Sequence, residues 1–244
     1  MPPKVLLIEC GPEDNRGKYL LDNDWQPLVK VLTERAELKT IKSADGIEST
    51  MKAFKPSAIV VMEGGLDSLC PNLIAATSKF RAFAEEGGIV FYAGVFSSVA
   101  TKFDMETIFG EMGFNVGWKY NRYIGYYADS WDGKNKGSYE KRVKASLNRE
   151  AEVFLNNSLN LQSAQLPDEI DPFRPLVVEV TNPSHVLYKV VDPVVTKNAE
   201  KHSVGAMARV GEGHVGLWGD RDNKVAQTAD VIPAMLGLPP KQQQ

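Results

Sequence analysis

The chain has 244 residues, of which 43% are hydrophobic and 24% charged, values of an ordinary globular protein. Its 28 basic and 31 acidic residues give a formal net charge of −3, which excludes a bulk attraction to nucleic acid or to an anionic membrane. No apolar run approaches the roughly 20 residues of a membrane helix. We therefore expect neither nucleic acid nor a membrane among its partners.

The cysteine content and the first residues of the chain bear on where the protein resides. Two cysteines, Cys10 and Cys70, are too few for a disulfide scaffold. The chain starts with Met1-Pro2-Pro3-Lys4 and leads straight into an apolar strand, without the longer apolar segment of a signal peptide. These features predict a reducing, cytoplasmic location.

Strands and helices alternate through the first part of the chain. Short, continuous apolar runs predict strands buried on both faces, and apolar residues at helical spacing predict the helices between them. Asp24 is the predicted N-cap of the first helix, and Pro27 fits its first turn. The predicted strands are residues 4–9, 38–41, 58–62 and 89–92, and the predicted helices are residues 25–36, 47–54 and 71–86.

The remainder of the chain is less regular. Glycines around Glu212 predict a tight turn, and the small and apolar residues on either side predict a two-stranded hairpin. Aromatic residues crowd the segment 118–131, which favours an extra β element at the edge of the sheet. The other predicted elements are helices at 102–112, 139–156 and 229–236, an irregular region at 157–175 and a strand at 176–180.

These elements predict one α/β domain over residues 1–244, with an insertion at about 115–175. Its core is a doubly wound, mostly parallel, flavodoxin-like sheet of strand order 2-1-3-4-5, with an added hairpin and an edge insertion. In such folds ligands bind where the strands end at their carboxyl edge. The residues at these ends form the predicted ligand site: Glu9, Cys10, Glu63, Gly64, Gly65, Gly94, Val95, Phe96 and Ser97.

Two stretches resemble the class I glutamine amidotransferase-like superfamily, which includes the DJ-1 and trehalose-utilisation-type proteins. Residues 87–94, Gly-Gly-Ile-Val-Phe-Tyr-Ala-Gly, resemble its central strand and turn. Residues 209–220 are similar to the closing hairpin of some members, written R-V-G-x-G-x-V-G-x-x-G-D. His185 resembles a position often followed by proline in that group. The resemblance implies a doubly wound fold over most of the chain.

The chain departs from that superfamily at the group that performs the chemistry. Catalytic members carry a cysteine nucleophile on the sharp turn after the strand that residues 89–92 resemble. Here the turn reads Ala93-Gly94-Val95-Phe96, and neither a hydrogen nor an apolar side chain can attack a carbonyl. A histidine closely followed by a glutamate near the end of the domain is also not evident. Glutamine hydrolysis is therefore not expected, whereas other enzyme activity stays open.

Several residues near the predicted edge have both a structural and a chemical interpretation. Ser97 and Ser98 either cap a helix starting near residue 99 or act as a nucleophile with His185 or His214 as the base. Cys10 and Cys70 are either small buried residues or reactive thiols. Glu9 and Glu63 either hydrogen-bond loop amides or share a proton or cation. In each pair the structural interpretation is favoured.

No histidine or cysteine spacing predicts a metal site, and no motif predicts a cofactor. The aromatic segment 118–131 could stack bases or sugars, but packing or a homodimer contact is favoured.

Three functions follow. The favoured one is a pseudoenzyme of this superfamily that binds a small molecule or a protein partner at the carboxyl edge. The alternatives are a hydrolase with a displaced serine or cysteine nucleophile, and a structural or regulatory subunit that dimerises through residues 118–131.

Overall fold

The computed structural model describes residues 2–9, 25–62, 71–123, 143–156, 159, 161, 166–172, 175–191, 201–220 and 228–239. Strands and helices in these ranges are numbered in chain order. They are β1 (Lys4–Ile8), α1 (Gln26–Arg35), β2 (Glu37–Ile41), α2 (Ile47–Phe54), β3 (Ala58–Val61), α3 (Pro71–Glu85), β4 (Ile89–Tyr92), α4 (Val95–Val99), α5 (Lys102–Phe109), β5 (Trp118–Tyr123), β6 (Ala145–Leu147), α6 (Glu152–Leu155), β7 (Glu169–Ile170), β8 (Leu176–Val180), β9 (Val186–Val190), β10 (His202–Val210), β11 (Gly213–Trp218) and α7 (Thr228–Met235).

The first four strands form the parallel half of the sheet, in the order β2-β1-β3-β4. Leu6 pairs with Lys39 on one side and with Ile59 on the other. Strands β1, β3 and β4 are buried on both faces, as their uninterrupted apolar sequences predict. The α/β class and the neighbouring positions of β1 and β3 are therefore confirmed.

The closing hairpin continues this half. Strand β11 lies parallel to β4, with His214 opposite Ile89 and Leu217 opposite Tyr92. Strand β10 then runs antiparallel to β11 through the turn at Gly211, which has a φ of +60°. Beyond β10 the order is β9-β6-β7, and β8 pairs with both β10 and β5. All pairings beyond β11 are antiparallel, so the sheet is mixed.

Helices cover both faces of this sheet, which agrees with a doubly wound arrangement. Alternate residues of each strand point to opposite faces, so Leu7 joins one apolar cluster and Leu6 the other. The first cluster contains Leu28 of α1 and Val231 of α7, and the second contains Phe80 of α3. The carboxyl ends of β1, β3, β4 and β11 thus meet at one edge between two helical layers.

Several predictions about the irregular part of the chain are wrong. A helix over 139–156 is contradicted, because Ala145 lies in β6 and pairs with Ile170 and Val190. These partners lie far away along the chain, so local spacing could not reveal them. The predicted irregular region 157–175 contains β7, and His202, predicted in a loop, begins β10. Helix α5 ends at Phe109 and is followed by Gly110, three residues before the predicted end.

The described part of the aromatic segment lies inside the chain. Strand β5 pairs with β8, which confirms the β structure expected there. Trp118 is 1% exposed and packs on Phe109, with 5.0 Å between ring centroids. Trp118 is therefore a core residue and is not available to a partner subunit. Residues 124–131 lie outside the described residues, as do Asp24 and the carboxyl-terminal tail from residue 240.

Candidate functional site

The turn between β4 and α4 has the backbone geometry of a strained elbow. Gly94, the residue before α4, has φ +70° and ψ −129°. An L-residue rarely adopts this combination, because its Cβ would crowd the backbone. The superfamily that the sequence resembles places its nucleophile on such a strained strand-to-helix turn. Gly94 is therefore the strained residue of this strand-to-helix turn, which we call the elbow.

The side chain of Met62 occupies the space beside this elbow. A Cβ added to Gly94 would lie 2.6 Å from the Met62 Cε, well inside van der Waals contact. Hydrogen bonds hold the Met62 backbone against β1 and α4, since the Phe96 amide donates to the Met62 carbonyl at 3.1 Å and the Met62 amide donates to the Ile8 carbonyl at 3.1 Å. A side chain at Gly94 would therefore require both the positive φ and a displacement of the Met62 methyl group.

Ser97 and Ser98 lie within α4, which begins at Val95. The prediction that one of them caps a helix starting near residue 99 is therefore wrong. Both are buried, at 0% and 8% exposure. The Ser97 hydroxyl donates to the backbone carbonyl of Trp218 at the end of β11. This bond ties α4 to β11, and it directs the Ser97 proton to a carbonyl oxygen instead of a histidine nitrogen.

Val95 and Phe96, which are predicted to line the ligand site, are both buried. Phe96 is fully buried and packs against Tyr92, with 5.0 Å between ring centroids, and against Phe109 at 6.3 Å. The same burial raises the pKa of the Tyr92 phenol far above its ordinary value, with the Thr77 side chain opposing the shift. Phe96 therefore belongs to the second apolar cluster, beneath the edge.

Two buried polar residues, Trp218 and Asp220, lie at the end of β11, the strand beside β4. Trp218 is fully buried, and its indole Nε1 has no hydrogen-bond partner in the described part of the chain. The indole stands edge-on to Tyr188, with 5.4 Å between ring centroids. Asp220, two residues further on, is also fully buried. We call Met62, Gly94, Ser97, Trp218 and Asp220 the elbow site.

The other residues predicted at this edge are only partly described. Glu9 follows β1 and is half-buried, and its amide donates to the Ile41 carbonyl at 2.9 Å. Residues Cys10, Glu63, Gly64, Gly65 and Cys70 lie outside the described residues. Their participation in a ligand site stays a prediction.

Glu152, at the start of α6, is the centre of a second polar group. One of its carboxylate oxygens accepts from the Arg209 amide at 3.3 Å. The other accepts from the Ser184 hydroxyl at 3.4 Å and lies 3.8 Å from the His185 Nε2. This carboxylate therefore joins α6 to β10 and to the short 3₁₀ helix Pro183–His185, which precedes β9.

His185 is held in its neutral form. The Trp118 indole donates to its Nδ1 at 3.3 Å, so a neutral ring carries its proton on Nε2. Asn182 Nδ2 lies 3.1 Å from the His185 Nε2, and which of the two atoms donates depends on the tautomer of the ring. Burial lowers the pKa of His185, and the nearby Glu152 carboxylate opposes that shift.

His214 lies at the opposite end of the parallel strands from the elbow site. It pairs with Arg209 across the hairpin and stands beside Ile89, the first residue of β4, whereas Gly94 follows the last. Burial and the Arg209 charge lower the pKa of His214, while Glu152 opposes them. His214 and Ser97 are therefore placed at different edges of the sheet.

Neither a metal cluster nor a membrane-spanning helix is found in the described residues. No three His, Cys, Asp or Glu side chains there come together as ligands for a metal ion. No described helix is both long and apolar enough to cross a bilayer.

Sequence reasoning missed Met62, Trp218, Asp220 and Glu152 as parts of these sites. Position after a strand could have indicated Met62 and Asp220, because both follow the last residues of parallel strands. Nothing in the local sequence marks Glu152, since its partners belong to distant segments of the chain.

The fold resembles known structures, although no family model and no curated protein matches the sequence. A ThuA-like protein from Parabacteroides merdae aligns over 97% of this chain and 88% of its own, with 13% identity and a TM-score of 0.51. A cytoplasmic protein from Salmonella typhimurium LT2 aligns over 95% of both chains, with 13% identity and a TM-score of 0.55.

A β-galactosidase from Bacillus circulans sp. alkalophilus also aligns over 96% of this chain, with 10% identity and a TM-score of 0.55. This chain spans only 30% of the length of that enzyme. At these identities the likeness is one of fold alone. The chain thus shares an α/β fold with a ThuA-like protein over nearly its whole length.

Proposed function

We propose that this chain is a member of the class I glutamine amidotransferase-like superfamily that has lost the nucleophile and binds a small molecule at the elbow site. The observation that carries the proposal is Gly94, which keeps the strained elbow backbone while Met62 fills the space of a nucleophilic side chain. The ThuA-like fold supports the superfamily, and the cytoplasmic description of the Salmonella protein is compatible with the same location here.

The buried polar groups at the elbow indicate what such a ligand would offer. The Trp218 indole N–H is a donor without an acceptor among the described residues. A buried donor left in this state costs about 1–3 kcal/mol, so an acceptor oxygen on a ligand would be favoured there. We therefore expect a molecule with a carbonyl or carboxylate oxygen that accepts from the Trp218 indole.

The test is a thermal-shift screen of small metabolites bearing such oxygens, with glutamine included. A ligand that binds the native state raises the melting temperature in proportion to the logarithm of its concentration. The Trp218→Phe variant keeps an aromatic ring and removes the donor, so its shift should be clearly smaller. Lys30→Gln, on the exposed face of α1, is the control and should behave as the wild type.

Two outcomes would refute the proposal. Release of ammonia from glutamine would show that a nucleophile outside the elbow restores the family's reaction. A ligand whose shift is unchanged in Trp218→Phe would bind elsewhere. The alternatives named from the sequence stay predictions: a hydrolase requires turnover of an ester or amide, and a homodimer requires a sedimentation mass of twice 26.9 kDa.

A further inference from the structure

A groove between α2 and α3 forms a second candidate binding site. Its volume is about 570 Å³, which lies in the range of small-molecule pockets. Both helices end at this place, since α2 stops just before β3 and α3 stops just before β4. The groove therefore lies toward the amino edge of the parallel strands, remote from the elbow site at their carboxyl edge.

The floor of the groove is apolar and held in place by packing. Met51 of α2 and Phe83 of α3 are half-buried and rest on the second apolar cluster. The Phe83 ring lies directly over Gly88, where an added Cβ would come within 2.2 Å of it. The ring thus lies between the Gly88 backbone and the groove, which it lines.

The rim of the groove carries more cations than anions. Three lysines, Lys52, Lys55 and Lys79, stand against two glutamates, Glu48 and Glu86. Glu48 accepts from Lys52 at 2.8 Å and also from Lys79, so one carboxylate serves two ammonium groups. These hydrogen bonds hold the pKa of Glu48 at about 2.

Lys55 is the lysine of the rim that does not contact Glu48. No hydrogen bond or ion pair joins its ammonium group to another side chain in the described ranges. Its backbone is left-handed, with φ 51° at the end of α2, a position where glycine or asparagine is commonly found. The chain therefore holds a charged side chain in a costly conformation at the mouth of an apolar groove.

We propose that this groove binds a small amphipathic anion, with its apolar body on Met51 and Phe83 and its anionic head on Lys55. The apolar floor favours a hydrocarbon or aromatic body, and the excess of one positive charge on the rim favours an anionic head. This site is independent of the elbow site, and each proposal can fail without the other.

The test uses anilinonaphthalene sulfonate, an aromatic anion that becomes fluorescent in apolar surroundings, with the full chain. The dye should bind at a stoichiometry near one, and dodecanoate should displace it, whereas uncharged dodecanol should not. Lys55→Asn removes the charge and suits the left-handed backbone, so it should weaken dodecanoate binding about fivefold or more. Lys30→Gln removes a charge elsewhere and should leave binding unchanged.

A second variant tests the location without altering charge. Ala82 is exposed and lines the groove, so Ala82→Trp should fill it and abolish displaceable dye binding. Ala75→Trp, an exposed position on the same helix outside the groove, is the matched control. The proposal is overturned if the wild type binds no displaceable dye, if Ala82→Trp binds it as Ala75→Trp does, or if Lys55→Asn binds dodecanoate as the wild type does.

Discussion

At the scale of single residues, Gly94 and Met62 determine what the elbow can do. Catalysis from this position requires a side chain on a residue with positive φ, and the space for that side chain is taken by the Met62 methyl group. A side chain introduced at the turn would therefore meet both a strained backbone and the Met62 methyl group.

We predict that Gly94→Ala lowers the free energy of unfolding by about 1–3 kcal/mol, because Ala is strained at φ +70° and its Cβ meets Met62. Adding Met62→Ala should remove the steric part, so the double variant should be more stable than the sum of the single effects implies. Denaturant unfolding measures all four proteins.

Gly46→Ala is the control for that cycle. Gly46 has φ −85°, and a Cβ added there would have no other atom within 4 Å, so this change should be neutral or slightly stabilising. Equal losses at Gly46 and Gly94 would contradict the importance of backbone strain at the elbow.

The two histidines with lowered pKa values predict a pH-dependent stability. Burial disfavours their charged forms, so the unfolded chain, with ordinary values near 6.5, binds protons that the folded chain does not. Stability is thus fully present above pH 6.5 and declines as the pH falls from 6.5 toward the lowered folded values. Unfolding free energies measured between pH 8 and pH 5 should show this slope.

The His214→Gln variant should have a shallower slope over the same range, because one of the two protonation differences is absent. Its stability at pH 8 is the reference, so any cost of the substitution itself cancels from the comparison. An unchanged slope in this variant would exclude His214 as a source of the pH dependence.

At the scale of elements, local signals and distant partners account for different parts of the chain. Strand β4 and helix α2 occupy the residues predicted for them, since their apolar runs and stop signals are local. The sequence predicts a helix where β6 lies, because this strand has three residues and derives its stability from pairing with Tyr188, Lys189 and Val190 of β9. Short antiparallel strands of this kind leave little trace in the sequence around them.

Helix α5 provides a prediction at this scale. Thr101 and Asp104 form a capping box, in which the Asp104 amide donates to the Thr101 hydroxyl at 3.2 Å and the Asp104 carboxylate accepts from the Thr101 amide at 2.7 Å. Thr101→Ala should lower the free energy of unfolding by about 0.5–2 kcal/mol. Thermal or denaturant unfolding measures the loss.

Thr33→Ala is the matched control for this change. Thr33 lies in the interior of α1 and its hydroxyl donates to the Val29 carbonyl, so alanine should be tolerated there for its higher helix propensity. A loss at Thr33 as large as that at Thr101 would show that the capping box is not the cause.

At the scale of the whole molecule, the sheet separates its sites. The elbow site lies at the carboxyl edge of the parallel strands, and the α2–α3 groove lies toward their amino edge. His214 stands beside the first residue of β4 and Ser97 follows the last, so the pairing of these two residues in a displaced-nucleophile site has no geometric support. Residues that are candidates in the sequence thus have separate locations in the fold.

The sequence by itself determined the α/β class, the order of the first four strands, the closing hairpin and the position of the elbow. These follow from local periodicity and glycine turns, which act over a few residues. The tertiary structure alone decided that Met62 fills the elbow, that Glu152 joins three segments, and that Trp118 is buried. Each of these depends on side chains brought together from distant positions, and no local pattern records such contacts.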